Sequence, residues 1–153
     1  MKGIGDYSSA VAQLHPGTRV AIEGPYGAFT AHHRRRAKVA LIAGGVGVTA
    51  IRSLLEDLPR NCDPVVILRA SHADDIVLES EVTELVRHRK GRVHQLIGSR
   101  SKVRLDRLFE LVPDMWDRDI YVAGAEGFVN GVVATLSRRG VSDDAVHFEV
   151  YSL

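Results

Sequence analysis

The sequence predicts an α/β fold, a doubly wound parallel sheet of five strands with helices on both faces. From Lys38 onward, short apolar runs alternate with helical patterns to the end of the 153-residue chain. The apolar runs are continuous, which is typical of strands covered on both faces. Strands that alternate with helices are joined by right-handed crossovers, and such connections build a parallel sheet.

Each strand and each helix has its own signal. The five predicted strands lie at Val39–Ala43, Val65–Ala70, Arg92–Ile97, Ile120–Ala123 and Val146–Val150. Four apolar stripes at helical spacing lie between them, at Ile51/Leu54/Leu55/Leu58, Leu78/Val82/Leu85/Val86, Leu105/Leu108/Phe109/Val112 and Val129/Val132/Val133/Leu136. Proline or glycine follows each stripe, at Pro59, Gly91, Pro113 and Gly140, and predicts where the helix ends.

The first 37 residues follow a different pattern. A predicted short helix at Ser8–Leu14 and a predicted strand at Arg19–Glu23 form no crossover unit. Because this stretch is too short for a domain, we expect residues 1–37 to be the tail and linker of an upstream domain, and residues 38–153 to form the α/β domain. The basic run His32–Arg36 predicts a solvated linker, with an anion-binding or partner-binding patch as the alternative.

The composition excludes several function classes. A net charge of +1 gives no reason to expect nucleic acid or an anionic membrane as a partner. Cys62 is the single cysteine, which excludes an internal disulfide and a cysteine-based metal site, and the seven histidines show no ligand spacing. No apolar run reaches the roughly 18 residues of a membrane span, and no signal peptide opens the sequence. We therefore expect a cytoplasmic chain that makes no membrane contact of its own.

A glycine-rich turn between the first strand and the first helix is the strongest sign of a ligand. Glycines at positions 44, 45 and 47 allow the backbone to bend sharply and to approach a ligand closely. The free N–H groups and the dipole of the following helix favour an anion. The run Gly45-x-Gly47-x-x-Ala50 satisfies the loose dinucleotide pattern. The predicted pyrophosphate site comprises Gly44, Gly45, Val46, Gly47, Val48 and Thr49, with a purely structural turn as the alternative.

A second glycine-rich turn follows the fourth strand and opens the last helix. In a doubly wound sheet the strand order reverses beside the first strand, and ligands bind over the carboxyl ends there. We therefore expect this turn to form the opposite wall of the ligand crevice. Its residues are Gly124, Ala125, Glu126, Gly127 and Phe128. A tight strand-to-helix turn without a ligand is the alternative.

The residues after the second and third strands bear on the choice of nucleotide. An acidic residue about 20 positions after the glycine turn usually holds the adenosine ribose, but the second strand ends in Arg69-Ala70-Ser71. This absence argues against a standard NAD dehydrogenase. After the third strand, Ser99 and Arg100 would suit a ribose phosphate, with a solvated polar loop as the alternative. Together these residues favour NADPH over NADH.

Five segments, in the same order, resemble motifs of the ferredoxin–NADP reductase superfamily. Lys2–Ser8 resembles the last motif of the flavin domain, and Glu23–Phe29 resembles the domain junction. Ile42–Ala50 resembles the motif that binds the nicotinamide nucleotide pyrophosphate, and Tyr121–Ala125 resembles the motif beside the nicotinamide. His147–Tyr151 resembles the ending whose aromatic residue stacks on the isoalloxazine ring. The chain is thus similar to the family's NAD(P)H-binding domain with the end of the flavin domain attached.

The resemblance implies a strand order of 3-2-1-4-5 and an NAD(P)H-dependent flavoprotein oxidoreductase, including ferric-reductase-like members. Hydride would pass from NAD(P)H to FAD or FMN in an upstream domain, and electrons would then reach haem, an iron–sulfur protein or ferric iron. It also implies a cytoplasmic location, as a free protein or as the cytoplasmic part of a membrane-anchored reductase.

The resemblance also implies roles for individual residues. Glu149 and Tyr151 would sit at the flavin face, and the second glycine turn would frame the nicotinamide. Near the flavin pyrophosphate it places Gly5, Tyr7 and Ser8. Near the adenosine ribose or its phosphate it places Arg69, Ser99 and Arg100.

The chain departs from the family pattern at several positions. Ala50 and Ala125 replace prolines, and Ala123 replaces the cysteine beside the nicotinamide. The main flavin-binding motif, Arg-x-Tyr-Ser, is absent, so we expect the chain alone to bind flavin poorly and to be inactive by itself. The lost cysteine favours the alternative of a non-catalytic nicotinamide-nucleotide-binding or sensor module. A standard dehydrogenase would need a substrate domain, for which residues 1–37 are too short.

Overall fold

The structure is a computed structural model that describes residues 10–11, 13–21, 29–99 and 103–151. Five parallel strands form one sheet in the order β3-β2-β1-β4-β5, which confirms the predicted fold class and strand order. The strands are β1 (Lys38–Gly44), β2 (Pro64–Ala70), β3 (Arg92–Ile97), β4 (Arg118–Ala125) and β5 (Val146–Tyr151). The helices of the described residues are α1 (Val48–Asp57), α2 (Glu79–Arg87), α3 (Arg107–Leu111) and α4 (Glu126–Arg138).

The sheet has a hydrophobic core on each face. Successive side chains of β1 point to opposite faces, so Leu41 packs with α1 and α2 while Ile42 packs with α3 and α4. Both residues are fully buried. On the first face Ile51 and Val82 bring helices α1 and α2 onto the sheet. This two-sided burial explains why the central strands are continuous apolar runs.

Two of the predicted stop signals, Pro59 and Gly140, act where the sequence places them. Pro59 follows α1 and disfavours a helical conformation at Leu58, whose backbone is extended. After α4, Gly140 adopts a left-handed φ of +76° and donates its N–H to Ser137 at 2.9 Å. The stripe from Leu105 to Val112 is buried or half-buried as predicted, but regular helix covers only the five residues of α3.

Strand β4 begins two residues earlier than the apolar pattern predicts, because its first two residues are charged but fully buried. The Arg118 guanidinium donates to the Asp114 and Asp63 carboxylates and to the Val39 carbonyl. The Asp119 carboxylate accepts the backbone N–H groups of residues 35 and 36. Hydrogen bonds thus replace the water that these charges lose on burial.

The described part of the amino-terminal stretch departs from its predicted strand but not from its predicted helix. Residues 19–21 are exposed and lie outside any strand, and the rest of the predicted strand Arg19–Glu23 falls outside the described residues. Ala10 and Val11 are helical, within the predicted helix Ser8–Leu14. The basic run is exposed at His32, His33 and Arg35, as expected of a solvated segment, but its backbone is fixed to β4 through Asp119.

No helix among the described residues has the length and apolar character needed to cross a membrane. In the same part of the chain, no three histidine, cysteine or acidic side chains come together as a set of metal ligands.

Candidate functional site

The first glycine turn opens onto solvent at the carboxyl end of β1. Gly45–Gly47 form a short 3-10 turn that leads directly into α1. Gly45 has a φ of +54°, a left-handed conformation that favours glycine, and a Cβ added there would meet nothing within 4 Å. Gly45 and Val46 are exposed, whereas Gly47 and Val48 are buried. The turn therefore offers bare backbone and helix-start N–H groups to an anion.

Thr49, the second residue of α1, stabilises the first glycine turn through a side-chain hydrogen bond. Its hydroxyl donates a hydrogen bond of 2.8 Å to the carbonyl of Val46, the outermost residue of the turn. The Thr49 side chain is itself exposed. A threonine at this position thus holds the turn in shape while its hydroxyl stays at the solvent surface of the site.

The second glycine turn packs directly on the first. Ala43 of β1 pairs with Ala123 of β4 in parallel register, so the turns that follow the two strands lie side by side at the carboxyl ends of the strands. A Cβ on Gly47 would overlap the Ala123 carbonyl, and one on Gly124 would lie 2.9 Å from the Gly44 carbonyl oxygen. The structure therefore brings together the two segments, Gly44–Thr49 and Gly124–Phe128, that the sequence predicts as opposite walls.

Polar side chains at the end of β5 lie beside these turns. Register pairs Glu149 with Ala123 and Tyr151 with Ala125. The half-buried Tyr151 donates its hydroxyl to Glu149 Oε1 at 3.0 Å. Burial and this carboxylate raise the pKa of Tyr151 to about 12, while the neighbouring Thr49 hydroxyl acts in the opposite direction. Thr49, Glu149 and Tyr151 therefore form one polar cluster, and the phenol stays neutral at physiological pH.

Arg69 lies near the carboxyl end of β2, and its guanidinium faces the protein backbone. It sits opposite Gly44 in the register of β1 and β2. Its guanidinium donates to the carbonyl oxygens of Ala70, Leu96 and Gly98, the last at 2.6 Å. Arg69 thus ties together the carboxyl ends of β2 and β3. Ser99 is exposed just beyond β3.

Four predicted site residues fall outside the described part of the chain. They are Gly5, Tyr7, Ser8 and Arg100.

The structure adds one acidic residue that the sequence pattern missed. Asp75 lines a small cavity together with Gly45 and Arg69, at the carboxyl ends of β1 and β2. It belongs to a 3-10 turn after β2, Ala73–Asp75, and accepts the backbone N–H of His72. The pattern looks for a carboxylate at the strand end itself, where Ala70 and Ser71 stand. The acidic pair Asp74-Asp75 in the next turn was the signal that could have located it.

A second cavity, of about 670 Å³, lies on the side of the sheet where β4 begins, away from the carboxyl ends of the strands. Its lining includes Phe109, Trp116 and Arg139, which come from the segment before β4 and from the end of α4. The Trp116 ring contacts the Phe109 ring with centroids 5.0 Å apart, and its Nε1 donates to the Arg139 carbonyl. Trp116 covers the core, and this cavity is remote from the glycine turns.

Relatives by sequence are flavin-dependent or NAD(P)H-dependent reductases, although no protein-family model matches the chain. The chain is 29% identical over 148 residues to an NADPH oxidoreductase of Mycobacterium tuberculosis, covering 94% of this chain and 39% of the relative. It is 31% identical over 143 residues to a flavohemoprotein of Vibrio cholerae, with 88% and 36% covered. It is 26% identical to a glycine betaine monooxygenase reductase subunit of Pseudomonas aeruginosa, with 90% and 42% covered. The chain spans less than half the length of these relatives.

Solved structures share the fold. The FAD/NAD-binding domain of nitric oxide dioxygenase from Vibrio cholerae superimposes with a TM-score of 0.61 at 23% identity, covering 77% of this chain and 52% of that one. An Amycolatopsis cytochrome P450 reductase gives a TM-score of 0.67 at 18% identity, covering 85% and 43%. The chain is thus similar in sequence to ferredoxin–NADP reductase-like NAD(P)H- and FAD-binding proteins, and its fold matches that of their C-terminal domain.

Proposed function

We propose that this chain is the NAD(P)H-binding half of a flavin-dependent oxidoreductase. The observation that carries the proposal is the contact between the two glycine turns, which leaves no room for a Cβ on Gly47 or Gly124. Such a double turn at the switch point of a doubly wound sheet suits an extended dinucleotide. The relatives named as NADPH oxidoreductase and as reductase subunit support the same activity.

The pyrophosphate would lie over the first glycine turn. The left-handed Gly45 leaves open space where any other residue would carry a side chain, so the turn fits a bulky anion. The exposed backbone of Gly45 and Val46 would bind the phosphate oxygens through its N–H groups, and the α1 dipole would favour the negative charge. Thr49 would keep the turn in this shape through its bond to Val46.

The nicotinamide would lie between the second glycine turn and the end of β5. Gly124, Ala125, Glu126 and Phe128 would frame the ring, while Glu149 and Tyr151 would face the flavin. A bound flavin would accept hydride from the nicotinamide and release electrons singly. This chain would orient the donor, and the neutral Tyr151 phenol would hold the Glu149 carboxylate in place.

In the proposed enzyme, a second domain would precede the described residues in the amino-acid sequence. We propose a flavin domain there, with Gly5, Tyr7 and Ser8 near the FAD or FMN pyrophosphate. Electrons would pass onward to haem, an iron–sulfur protein or ferric iron, in the cytoplasm. Flavohemoproteins and a monooxygenase reductase subunit among the relatives support acceptors of this kind.

A pair of matched glycine substitutions tests the pyrophosphate site. Gly45→Asn keeps a residue that tolerates a left-handed φ but places a side chain over the turn. We expect NADPH affinity, measured by fluorescence titration, to fall by about tenfold or more, the scale of a lost charge-assisted contact. Gly140→Asn is the control, because Gly140 is also left-handed with open space around it but follows the far end of α4, away from the glycine turns. Equal affinity in both variants would contradict the site.

The preference for NADPH over NADH depends on Arg100. A guanidinium beside the ribose would bind the 2′-phosphate that only NADPH carries. We expect Arg100→Ala to weaken NADPH by about tenfold and to leave NADH within about twofold. The measurement is a parallel titration of both nucleotides. Equal losses for the two would contradict the phosphate role, and the carboxylate of Asp75 in the neighbouring cavity would then favour NADH.

A non-catalytic nucleotide sensor is the second candidate. The observation that favours it is Ala123, which stands where the family has a cysteine beside the nicotinamide. Reduction of bound flavin by NADPH in the full-length protein, followed by flavin absorbance, separates the two candidates. Bleaching of the flavin band supports the reductase, and nucleotide binding without bleaching supports the sensor.

A further inference from the structure

The Phe128 ring fills the space between the two glycine turns. A Cβ on Gly44 would lie 2.5 Å from Cδ1 and 2.7 Å from Cε1 of this ring, and a Cβ on Gly124 would lie 2.8 Å from Cδ1. Real atoms do not approach so closely, so both positions must be glycine while the ring is present. The ring therefore rests on bare backbone of both turns at once.

Helix α4 holds the ring in this place. Phe128 is the third residue of α4 and the last residue of the second glycine turn, Gly124–Phe128. The next residue, Val129, and Val132 one turn further along the helix are fully buried against the sheet. The helix is thus anchored by its core face, and Phe128 extends this face toward the ligand edge, where it is only half-buried.

We infer that Phe128 is a positioning residue that sets the spacing between the two glycine turns for the nicotinamide half of the ligand. The inference rests on the proposed function and deepens it. The pyrophosphate needs only the exposed part of the first turn, Gly45–Gly47, which leads into α1 and which the Thr49 hydroxyl holds through Val46. The nicotinamide half spans both turns, and a spacer of the wrong size misplaces one wall against the other. Besides its proposed place beside the nicotinamide, Phe128 thus acts through the glycine backbone that it supports.

This role predicts that a Phe128 substitution weakens the binding of NADPH and NADH but not the binding of ADP. Phe128→Leu removes the outer ring atoms and keeps an apolar side chain. We expect this variant to bind NADPH and NADH about tenfold more weakly while its affinity for ADP, which lacks the nicotinamide half, stays within about twofold. Val133→Ala is the control, because Val133 is also a half-buried apolar residue of α4 but lies more than one helical turn beyond Phe128. It should leave both affinities unchanged.

A double substitution tests the contact itself. Gly44→Ala alone drives a methyl group into the Phe128 ring and should weaken NADPH binding by about tenfold. Leucine lacks the Cε1 atom and its terminal methyl groups can rotate, so adding Phe128→Leu should recover part of that loss. The affinity of the double variant should exceed the value expected if the two single losses multiplied.

The experiment is a calorimetric titration of the 153-residue chain and its variants with NADPH, NADH and ADP, with thermal midpoints measured alongside. The split for Phe128→Leu with rescue in the double variant supports the inference. Equal losses for NADPH and ADP, or multiplied losses in the double variant, would overturn it and leave the proposed function intact. A wild-type chain that binds none of the three would overturn both.

Discussion

At the scale of single residues, the fully buried Arg118 organises the amino end of the sheet. Its guanidinium donates five hydrogen bonds, to two carboxylates and two carbonyl oxygens. A buried arginine is stable only when its donors are all satisfied, and here Asp114 and Asp63 supply the opposite charge. The cluster lies at the opposite end of β4 from the glycine turns, so its role is to hold the fold.

Acid should weaken this cluster in a defined direction. Hydrogen bonds from Arg118, and then from Lys38, hold the pKa of Asp114 well below its usual range. The ionised carboxylate therefore stabilises the fold above the unfolded-state pKa of about 4, and this stability is lost as the pH falls through the folded-state value. At pH 7 we expect Asp114→Asn to lower the free energy of unfolding by about 2 kcal/mol.

Urea denaturation across pH checks this expectation. The difference between wild type and Asp114→Asn should shrink as the pH falls below about 4, because the wild-type carboxyl then protonates too. Asp74→Asn is the control, since Asp74 is exposed. A difference that stays constant from neutral to acid pH would show that the charge of Asp114 does not carry the effect.

The limits of sequence prediction at this scale follow from burial. The glycines at 44, 45 and 47 were predictable because few residue types permit such a turn, and their pattern is local. The buried Arg118 and Asp119 were not, because an apolar pattern treats charged residues as solvent-facing. Asp114 lies only four residues before Arg118, but Asp63 lies 55 residues from Arg118, and the Arg35 N–H bound by Asp119 lies 84 residues away, so no local signal points to these distant partners.

At the scale of elements, the strands and helices were predictable but their junctions were less so. The pattern treats Gly91 as the residue that ends α2. In the structure Lys90 takes the left-handed conformation, with a φ of +57°. Gly91 is needed for a different reason, since a Cβ there would overlap the Pro64 carbonyl. The same residue type can serve a turn or a close approach, and only the neighbouring strand decides which.

In the candidate site, the positions of the strand ends were predictable from the sequence, and the position of one loop residue was not. Register places the ends of β1, β4 and β5 together, as parallel pairing of apolar runs predicts. The turn after β2 brings Asp75 to the same edge, and that position depends on loop geometry rather than on periodicity. The walls of the site were therefore predictable, and the acidic residue in its rim was not.

At the scale of the whole molecule, the segment before β1 is fixed to the sheet. Asp119 accepts two backbone N–H groups from this segment, and the Tyr121 hydroxyl donates to the Thr30 carbonyl at 3.1 Å. The Phe29 ring meets the Tyr121 ring edge-on at 5.4 Å. An upstream flavin domain, as proposed, would thus be joined through a segment whose last residues have a fixed path.

The central claim is that the two glycine turns bind a nicotinamide dinucleotide. The most direct measurement follows the backbone amide NMR signals of the labelled chain as NADPH is added. The account predicts shifts concentrated at Gly44–Thr49 and Gly124–Phe128, with smaller shifts at the end of β5. Shifts confined to the cavity beside Phe109 and Trp116, or no shifts at millimolar NADPH, would contradict it.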